Sequence, residues 1–311
     1  MNIEDLLRET LTDMAAEEQP PPPSRFLQAT GRRRRRGLVL ATAAAAAVAV
    51  LAAGSTLAVR NLSPQGPALD NLVAQSPLPV TVTVREGQWL WQTFRQLTGA
   101  TGRPVRDFER AARDGAALGL PGYAKGGLEG FAFPGTYEVS PSSNPGELLA
   151  AMVSRFKRAA DSAGLAEGAK RLRRTPLEVL TVASIVEAET RDKRDMPKVA
   201  RVIYNRLNRT PEMRLQLDSP LRYGTGKAGG EVTLQDLKRA SPYNTYQNAG
   251  LPPGPIGNPG ADAIEAALRP ATGPWLYFVE TDPKKGTMKF TASETEFFEL
   301  TKERRKNLKK G

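Results

Sequence analysis

The sequence predicts an α+β protein carried on a single N-terminal transmembrane helix, and three observations predict it. Residues 37–59 form an uncharged run rich in Ala, Val and Leu, bounded by five arginines at 32–36 and by Arg60. Next, Val80-Thr-Val-Thr-Val84 alternates as a half-buried strand does and is followed by residues at helical spacing. Further on, well-capped apolar helices alternate with Pro/Gly loops, before the apolar run Trp275-Leu-Tyr-Phe-Val279 near the C-terminus.

The apolar run comes first in the argument. Its roughly 23 residues, at 1.5 Å each, cross a hydrocarbon core of about 30 Å. Ala-rich sequence also suits a buried soluble helix or a cleaved signal peptide, but this run is long for a signal and starts late. The arginines place the N-terminal side in the cytoplasm and everything after Arg60 outside the membrane. Ahead of them, Ile3, Leu6, Leu7, Leu11 and Met14 recur at helical spacing, so residues 1–16 read as a short amphipathic helix or a disordered tail. Residues 60–79, rich in Pro, Gly, Ser and Gln, read as a linker.

Composition narrows the chemistry. The 311 residues include no cysteine and no histidine. Thiolate and imidazole metal sites, disulfides, and nucleophile systems built on His are therefore excluded. Neither a GxxxxGKS phosphate loop nor a GxGxxG after a strand occurs, so no cofactor is expected. Catalysis must come from carboxylates, hydroxyls, Lys, Arg, Tyr or a borrowed cofactor. The net charge of +11 raises the question of nucleic acid. Five of those charges are the arginine run, and no nucleic-acid module accompanies the rest.

From Val80 the elements follow in order. After the strand, Glu86-Gly87 makes a turn. Leu90, Trp91, Phe94 and Leu97 then mark one helix, and 105–114 a second. Leu128-Glu-Gly-Phe-Ala-Phe-Pro-Gly-Thr-Tyr137 is too aromatic for a plain linker. Asn144-Pro145 starts a helix, with Asn as N-cap and Pro at the first helical position. Thr175-Pro-Leu-Glu178 is a capping box, and the helix it opens is apolar on nearly every side through Val186. Asp195 is the expected cap of the next helix, which carries Val199, Val202, Ile203 and Leu207. Phe290 is expected in a hairpin partner of the 275–279 strand, and the basic tail at 302–310 reads as helical.

Glu187 and Glu189 end the apolar helix. A helix C-terminus and a neighbouring carboxylate both disfavour the anion and raise a carboxyl pKa. A raised pKa is what a general acid needs near neutrality. Residues two apart on a helix point about 200° apart, so only one of the two faces a given cleft. The geometry leaves the choice open. It also allows two surface glutamates paired with Arg191, Lys193 or Arg194.

Taken together, the motif at 128–137, Ala183-Ser-Ile-Val-Glu-Ala-Glu-Thr190 and Val199-Ala-Arg-Val-Ile-Tyr-Asn-Arg-Leu207 resemble the MltG (YceG-like) family of endolytic murein transglycosylases. Met213-Arg-Leu-Gln-Leu-Asp218, Tyr243-Asn-Thr-Tyr246, Gly250-Leu-Pro-Pro-Gly254, Asn258-Pro-Gly260 and Leu276-Tyr-Phe-Val279 continue the resemblance in order. It covers roughly 80–307. The resemblance implies a cytoplasmic tail (1–36), a membrane anchor (37–59), a linker (60–79), a LysM-like subdomain (80–122) and a mixed helix/strand, lytic-transglycosylase-like catalytic domain (123–307). It also selects the glutamate before threonine, Glu189, as the catalytic residue. As general acid and then base, Glu189 would cleave between N-acetylmuramic acid and N-acetylglucosamine and leave a 1,6-anhydro end. Expected groove residues are Gln216, Asp218, Tyr223, Asn244, Thr245 and Tyr246. The implied partners are peptidoglycan glycan strands, membrane lipid and cell-wall synthesis proteins.

The chain departs from the family pattern at Gly135, where many members have Asp, and near 288–296, where many carry a His. Three other readings are a lysozyme-like hydrolase with Asp218 placing a water, a wall-binding scaffold, and a membrane signalling protein using its N-terminal helix.

Overall fold

The structure, a computed structural model, describes residues 79–230 and 232–309. The predicted tail, the transmembrane run and nearly all of the linker lie outside the described residues. Among the described residues no helix is long and apolar enough to cross a membrane. These residues belong to one unit, which runs from Gln75 to Gly311.

Strand β1 (Val80–Val84) buries Val82 and Val84 and exposes the residues between them, as its alternation requires. It turns at Gly87, whose φ of 73° suits a residue without Cβ. Helix α1 (Leu90–Thr101) and helix α2 (Val105–Ala111) follow, joined by the stacked rings of Phe94 and Phe108, 6.1 Å apart. The partner of β1 comes from further along the chain. It is β2 (Gly135–Val139), antiparallel, with Val82 opposite Tyr137. The aromatic segment at 128–137 thus supplies the strand that completes the small N-terminal sheet.

Helix α3 (Pro145–Ala163) opens as expected, the Asn144 side chain accepting from the Gly146 amide at 2.8 Å. One face buries Leu148, Leu149, Met152, Val153 and Phe156, and Phe156 meets Phe131 edge-on at 4.9 Å. A short helix, α4 (Leu165–Arg171), leads to α5 (Pro176–Glu189). The predicted capping box is present: Glu178 accepts from the Thr175 amide at 2.7 Å, and Thr175 accepts from the Glu178 amide at 3.2 Å. Residues 179–186 are all buried, so α5 is the central helix of the unit. Packed around it are α6 (Met196–Leu207), α7 (Asp218–Thr225) and α9 (Ala261–Leu268), with the short α8 (Leu234–Leu237) beyond α7.

Two expectations at element ends need correction. The Asp195 side chain does not cap α6; it pairs with Lys198 at 2.8 Å, and the chain enters the helix through a turn on the Asp192 carbonyl. The C-terminal strand, β3 (Tyr277–Asp282), starts two residues later than its apolar run. The reason is that the Trp275 and Leu276 carbonyls are taken by side chains of α6, Asn205 at 2.8 Å and Arg206 at 2.6 Å. Strand β4 (Thr287–Thr291) pairs with β3 and sets Phe290 opposite Phe278. Helix α10 (Glu294–Lys309) covers this hairpin and includes most of the basic tail.

Candidate active site

Glu189 is the last residue of α5, and the chain leaves the helix at Thr190 in extended conformation. A carboxyl there meets the negative end of the helix, with no cation in the last turn to offset it. The N-terminus of α7 comes up against it. The Ser219 hydroxyl donates to Glu189 Oε1 at 2.6 Å, and the Ser219 backbone amide also bonds the carboxylate. Burial nevertheless dominates and pushes the carboxyl up to about 7; neighbouring Asp218 adds to the rise, while Ser219 and Arg222 oppose it. At neutral pH such a group is divided between its acid and base forms, as proton transfer in both directions requires.

Glu187, which the sequence could not separate from Glu189, points elsewhere. Its Oε2 accepts from the Gly260 amide at 3.0 Å, at the N-terminus of α9, and its stem lies against Gly87. It satisfies a helix end, and burial, with Glu86 and Asp262 nearby, still raises its carboxyl above the ordinary value despite the Gly260 amide. The roughly 200° between the two side chains is therefore used: one carboxyl braces the fold and the other faces open space.

That space is a cavity of about 430 Å³, lined by Glu189, Gln216, Asp218, Ser219, Arg222 and Tyr246, with Arg206 behind them. The β3–β4 hairpin and α10 form the opposite wall through Phe278, Glu280, Met288, Phe297, Thr301 and Arg304. Asp218 Oδ1 accepts from the Tyr246 phenol at 2.6 Å, and its other oxygen lies 4.0 Å from Arg222. Burial, with Asp218 beside it, raises the Tyr246 phenol well above its ordinary value, so this hydroxyl stays a donor. Gln216 has φ of 46°, a left-handed conformation that costs a non-glycine residue about 1–3 kcal/mol. Its backbone amide donates to the Thr245 carbonyl at 3.1 Å, and the residue lines the cavity.

The expected groove residues thus divide. Gln216, Asp218 and Tyr246 come together with Glu189 around the cavity. Asn244 and Thr245 do not reach its surface, being 0% and 2% exposed. Asn244 donates to the carbonyls of Leu237 and Arg239, and the Thr245 hydroxyl joins both the amide and the carbonyl of Leu217. They build the loop on which Tyr246 is mounted. Tyr223 lies outside the cavity and donates to Glu129 Oε2 at 3.1 Å.

Ser219, Arg206, Arg222 and Glu129 were missed. Ser219 had a legible signal, since Asp218-Ser-Pro220 has the composition of a helix start. Arg206 is buried and donates to the carbonyls of Leu215 and Leu276, tying α6 to the cavity floor and to β3. Burial lowers its pKa to about 10, still charged at neutral pH. Glu129 accepts from the Leu90 amide and from Asn258 as well as Tyr223, and burial pushes its carboxyl up to about 7. The Glu129 contacts and the Arg206 bond to Leu276 cross long stretches of chain, so nothing local in the sequence announces them. No cluster of three or more acidic, His or Cys side chains among the described residues could hold a metal ion.

Comparison with known proteins identifies the family. The model of the YceG-like family matches residues 32–303. A Bacillus subtilis protein named endolytic murein transglycosylase is 39% identical over 153 residues, 49% of this chain and 41% of its own length. A Streptococcus pneumoniae protein of the same name is 32% identical over 234 residues, 66% of this chain and 41% of its own length. The chain therefore spans about two fifths of the length of these relatives. The crystal structure of a YceG-like protein from Listeria monocytogenes superimposes with a TM-score of 0.63 at 28% identity, covering 72% of this chain and 76% of that one. With a match over most of its length, the chain belongs to the YceG-like family.

Proposed function

We propose that the protein is an endolytic peptidoglycan lytic transglycosylase that uses Glu189 first as acid and then as base. The observation that carries the reading is the Glu189 carboxyl lining the cavity, with burial pushing it to about 7. The names of the relatives from Bacillus subtilis and Streptococcus pneumoniae support the same reaction. In its protonated form Glu189 gives its proton to the glycosidic oxygen between N-acetylmuramic acid and N-acetylglucosamine, and the C1–O bond breaks. The resulting carboxylate takes the proton of the muramic C6 hydroxyl, whose oxygen closes onto C1. Glu189 ends protonated, and the sugar ends as its 1,6-anhydro form.

One carboxyl suffices because the nucleophile belongs to the substrate; a conventional glycosidase uses two. Asp218, engaged with Tyr246 and close to Arg222, then serves to orient the sugar and to raise the Glu189 pKa. Gln216 and Tyr246 are amide and phenol partners for sugar hydroxyls and N-acetyl groups. Residues 37–59 would anchor the protein in membrane lipid with 1–36 in the cytoplasm, available to cell-wall synthesis proteins, and 60–79 as the linker. Outside, 80–122 would be the LysM-like subdomain and 123–307 the catalytic domain.

Mass analysis of purified glycan strands after digestion tests the reaction type. Anhydro ends support the transglycosylase, whereas reducing ends would transfer the reading to a hydrolase with Asp218 placing a water.

A further inference from the structure

Glu129 is the second carboxyl that burial pushes to about 7, and the reaction as written does not use it. It is not part of the lining of the cavity around Glu189, so it is not placed to touch the bond attacked. Its donors are neutral and come from three separate segments. The Leu90 amide lies 3.1 Å from both of its oxygens, and the Tyr223 phenol of α7 donates to Oε2 at 3.1 Å. Asn258 Nδ2 donates to Oε1 at 3.0 Å. A carboxyl that gathers three segments in this way acts as a joint between them.

Asn258 is engaged just as fully. Its Oδ1 accepts from the amides of Gly130 and Ala132, each at 3.0 Å. Its backbone is paired with the turn after β1: the Gly87 amide donates to its carbonyl at 2.8 Å, and its own amide donates to the Gln88 carbonyl at 3.0 Å. Two residues on, the Gly260 amide donates to Glu187 of α5 at 3.0 Å. The segment 258–260 is thus tied to Glu129 on one side. On the other it is tied to α5, two residues before Glu189.

These contacts close on themselves. From Glu189 the path crosses to the Ser219 hydroxyl, follows α7 to Tyr223 and crosses to Glu129. It continues through Asn258 and Gly260 to Glu187, and so returns to the end of α5. Ser219 and Tyr223 are four residues apart, on one face of α7 and about 6 Å apart along its axis. With only eight residues, α7 takes its place from tertiary contacts, not from its own stability. One turn of it joins the proton-transfer contact to the Glu129 joint.

We propose that Glu129 is a positioning residue for the proton transfer: through Tyr223 it fixes α7 so that the Ser219 hydroxyl stays on Glu189. It acts through the helix and not on the substrate. The proposal rests on the reading of Glu189 as the proton donor and adds a residue to it.

Side-chain chemistry separates this role from others. Glutamine at 129 keeps the joint, because its oxygen can accept from Leu90 and Asn258 while its amide donates to the Tyr223 oxygen. Leucine removes all three bonds and also leaves the Leu90 and Asn258 donors unpaired, which destabilises the fold. Tyr223→Phe cuts only the link to α7, so it carries the decision.

The test uses the full chain and purified glycan strands, with kcat and KM followed between pH 5 and 10. The variants are Glu129→Gln, Glu129→Leu, Tyr223→Phe, and Tyr223→Phe combined with Ser219→Ala. A carboxyl-carbon NMR titration reads the Glu189 pKa in each without any turnover. Tyr223→Phe should lower kcat on the acid side about tenfold, as misplacement of a reacting group does. KM should change less than about twofold, and the Glu189 titration should move to higher pH, the direction of a lost Ser219 bond. Glu129→Gln should behave as wild type, and Glu129→Leu should lose at least as much as Tyr223→Phe. With Ser219 already replaced, Tyr223→Phe should add no further shift. An unmoved Glu189 titration with kcat near wild type in Tyr223→Phe would overturn the proposal, and so would a full shift added to that of Ser219→Ala. A rise in KM alone would overturn it in favour of a sugar contact by Tyr223. A wild type that cleaves no strands would sink the reaction, while the NMR titration would still decide the positioning.

Discussion

Ser219→Ala removes the hydroxyl that donates to Glu189 at 2.6 Å and leaves the backbone path intact. A hydrogen bond to a charged group contributes about 1.5–3 kcal/mol. Divided by 1.36 kcal/mol per pKa unit, its loss raises the Glu189 pKa by about 1–2 units. The direction is fixed, because Ser219 stabilises the anion and lowers a pKa that burial has raised to about 7. Protonated Glu189 acts first, so kcat/KM falls as pH rises through its pKa in the free enzyme. The assay is kcat/KM for release of anhydro-ended fragments between pH 5 and 10. Ser219→Ala should move the descending limb from near pH 7 to about pH 8–9, and Ser219→Thr, which keeps the hydroxyl, should leave it in place. A limb that stays put, or moves to lower pH, in Ser219→Ala would refute the reasoning.

The other expectations can be stated together. Asp218→Asn removes a like charge that raises the Glu189 pKa, so the same limb should move to lower pH, opposite to Ser219→Ala. Glu189 itself couples pH to stability: its folded pKa of about 7 exceeds the ordinary 4.5, so the fold prefers the neutral form. Its contribution is intact below about pH 4.5 and is lost as pH rises through about 7, by up to about 3 kcal/mol. Glu189→Gln should therefore melt higher than wild type at pH 8 and similarly at pH 5; equal melting temperatures at both would contradict this. Gly257→Ala would set a methyl 2.8 Å from the Gly87 carbonyl oxygen, a backbone contact that cannot swing away. Thermal unfolding should show a loss of about 1–3 kcal/mol, as overpacking of a close contact generally does.

Much of the scaffold was legible because its signals are local. The capping box at Thr175, the Asn144-Pro145 start, the alternation of β1 and the apolar circumference of α5 are each read within a few residues, and each stands where expected. Strand β2 was not read as a strand, because its partner lies 55 residues earlier, Val84 against Gly135 at the near end and Val80 against Val139 at the far end. The site shows the same division. Two glutamates at a helix end were visible, but their separation depends on Gly260 and Ser219, which lie 73 and 30 residues away. Asn244 and Thr245 were expected to line the groove on the strength of the family resemblance. Their burial shows that the same side chains can satisfy the loop's own backbone, which residue type alone cannot reveal. Glu129 and Arg206 were invisible for the matching reason: Leu90, Tyr223 and Asn258 for the one, and Leu276 for the other, lie on distant segments.

The central claim is that Glu189, and not Glu187, transfers the proton. The most direct measurement digests purified glycan strands with wild type, Glu189→Gln and Glu187→Gln side by side, with anhydro ends counted by mass analysis. Glu187→Gln keeps an oxygen for the Gly260 amide and should cut at a rate within a few-fold of wild type. Glu189→Gln should remain folded and lose cutting by a factor of about 10²–10⁴, the range supplied by a positioned acid–base group. Undiminished release of anhydro ends by Glu189→Gln, or loss confined to Glu187→Gln, would contradict the account.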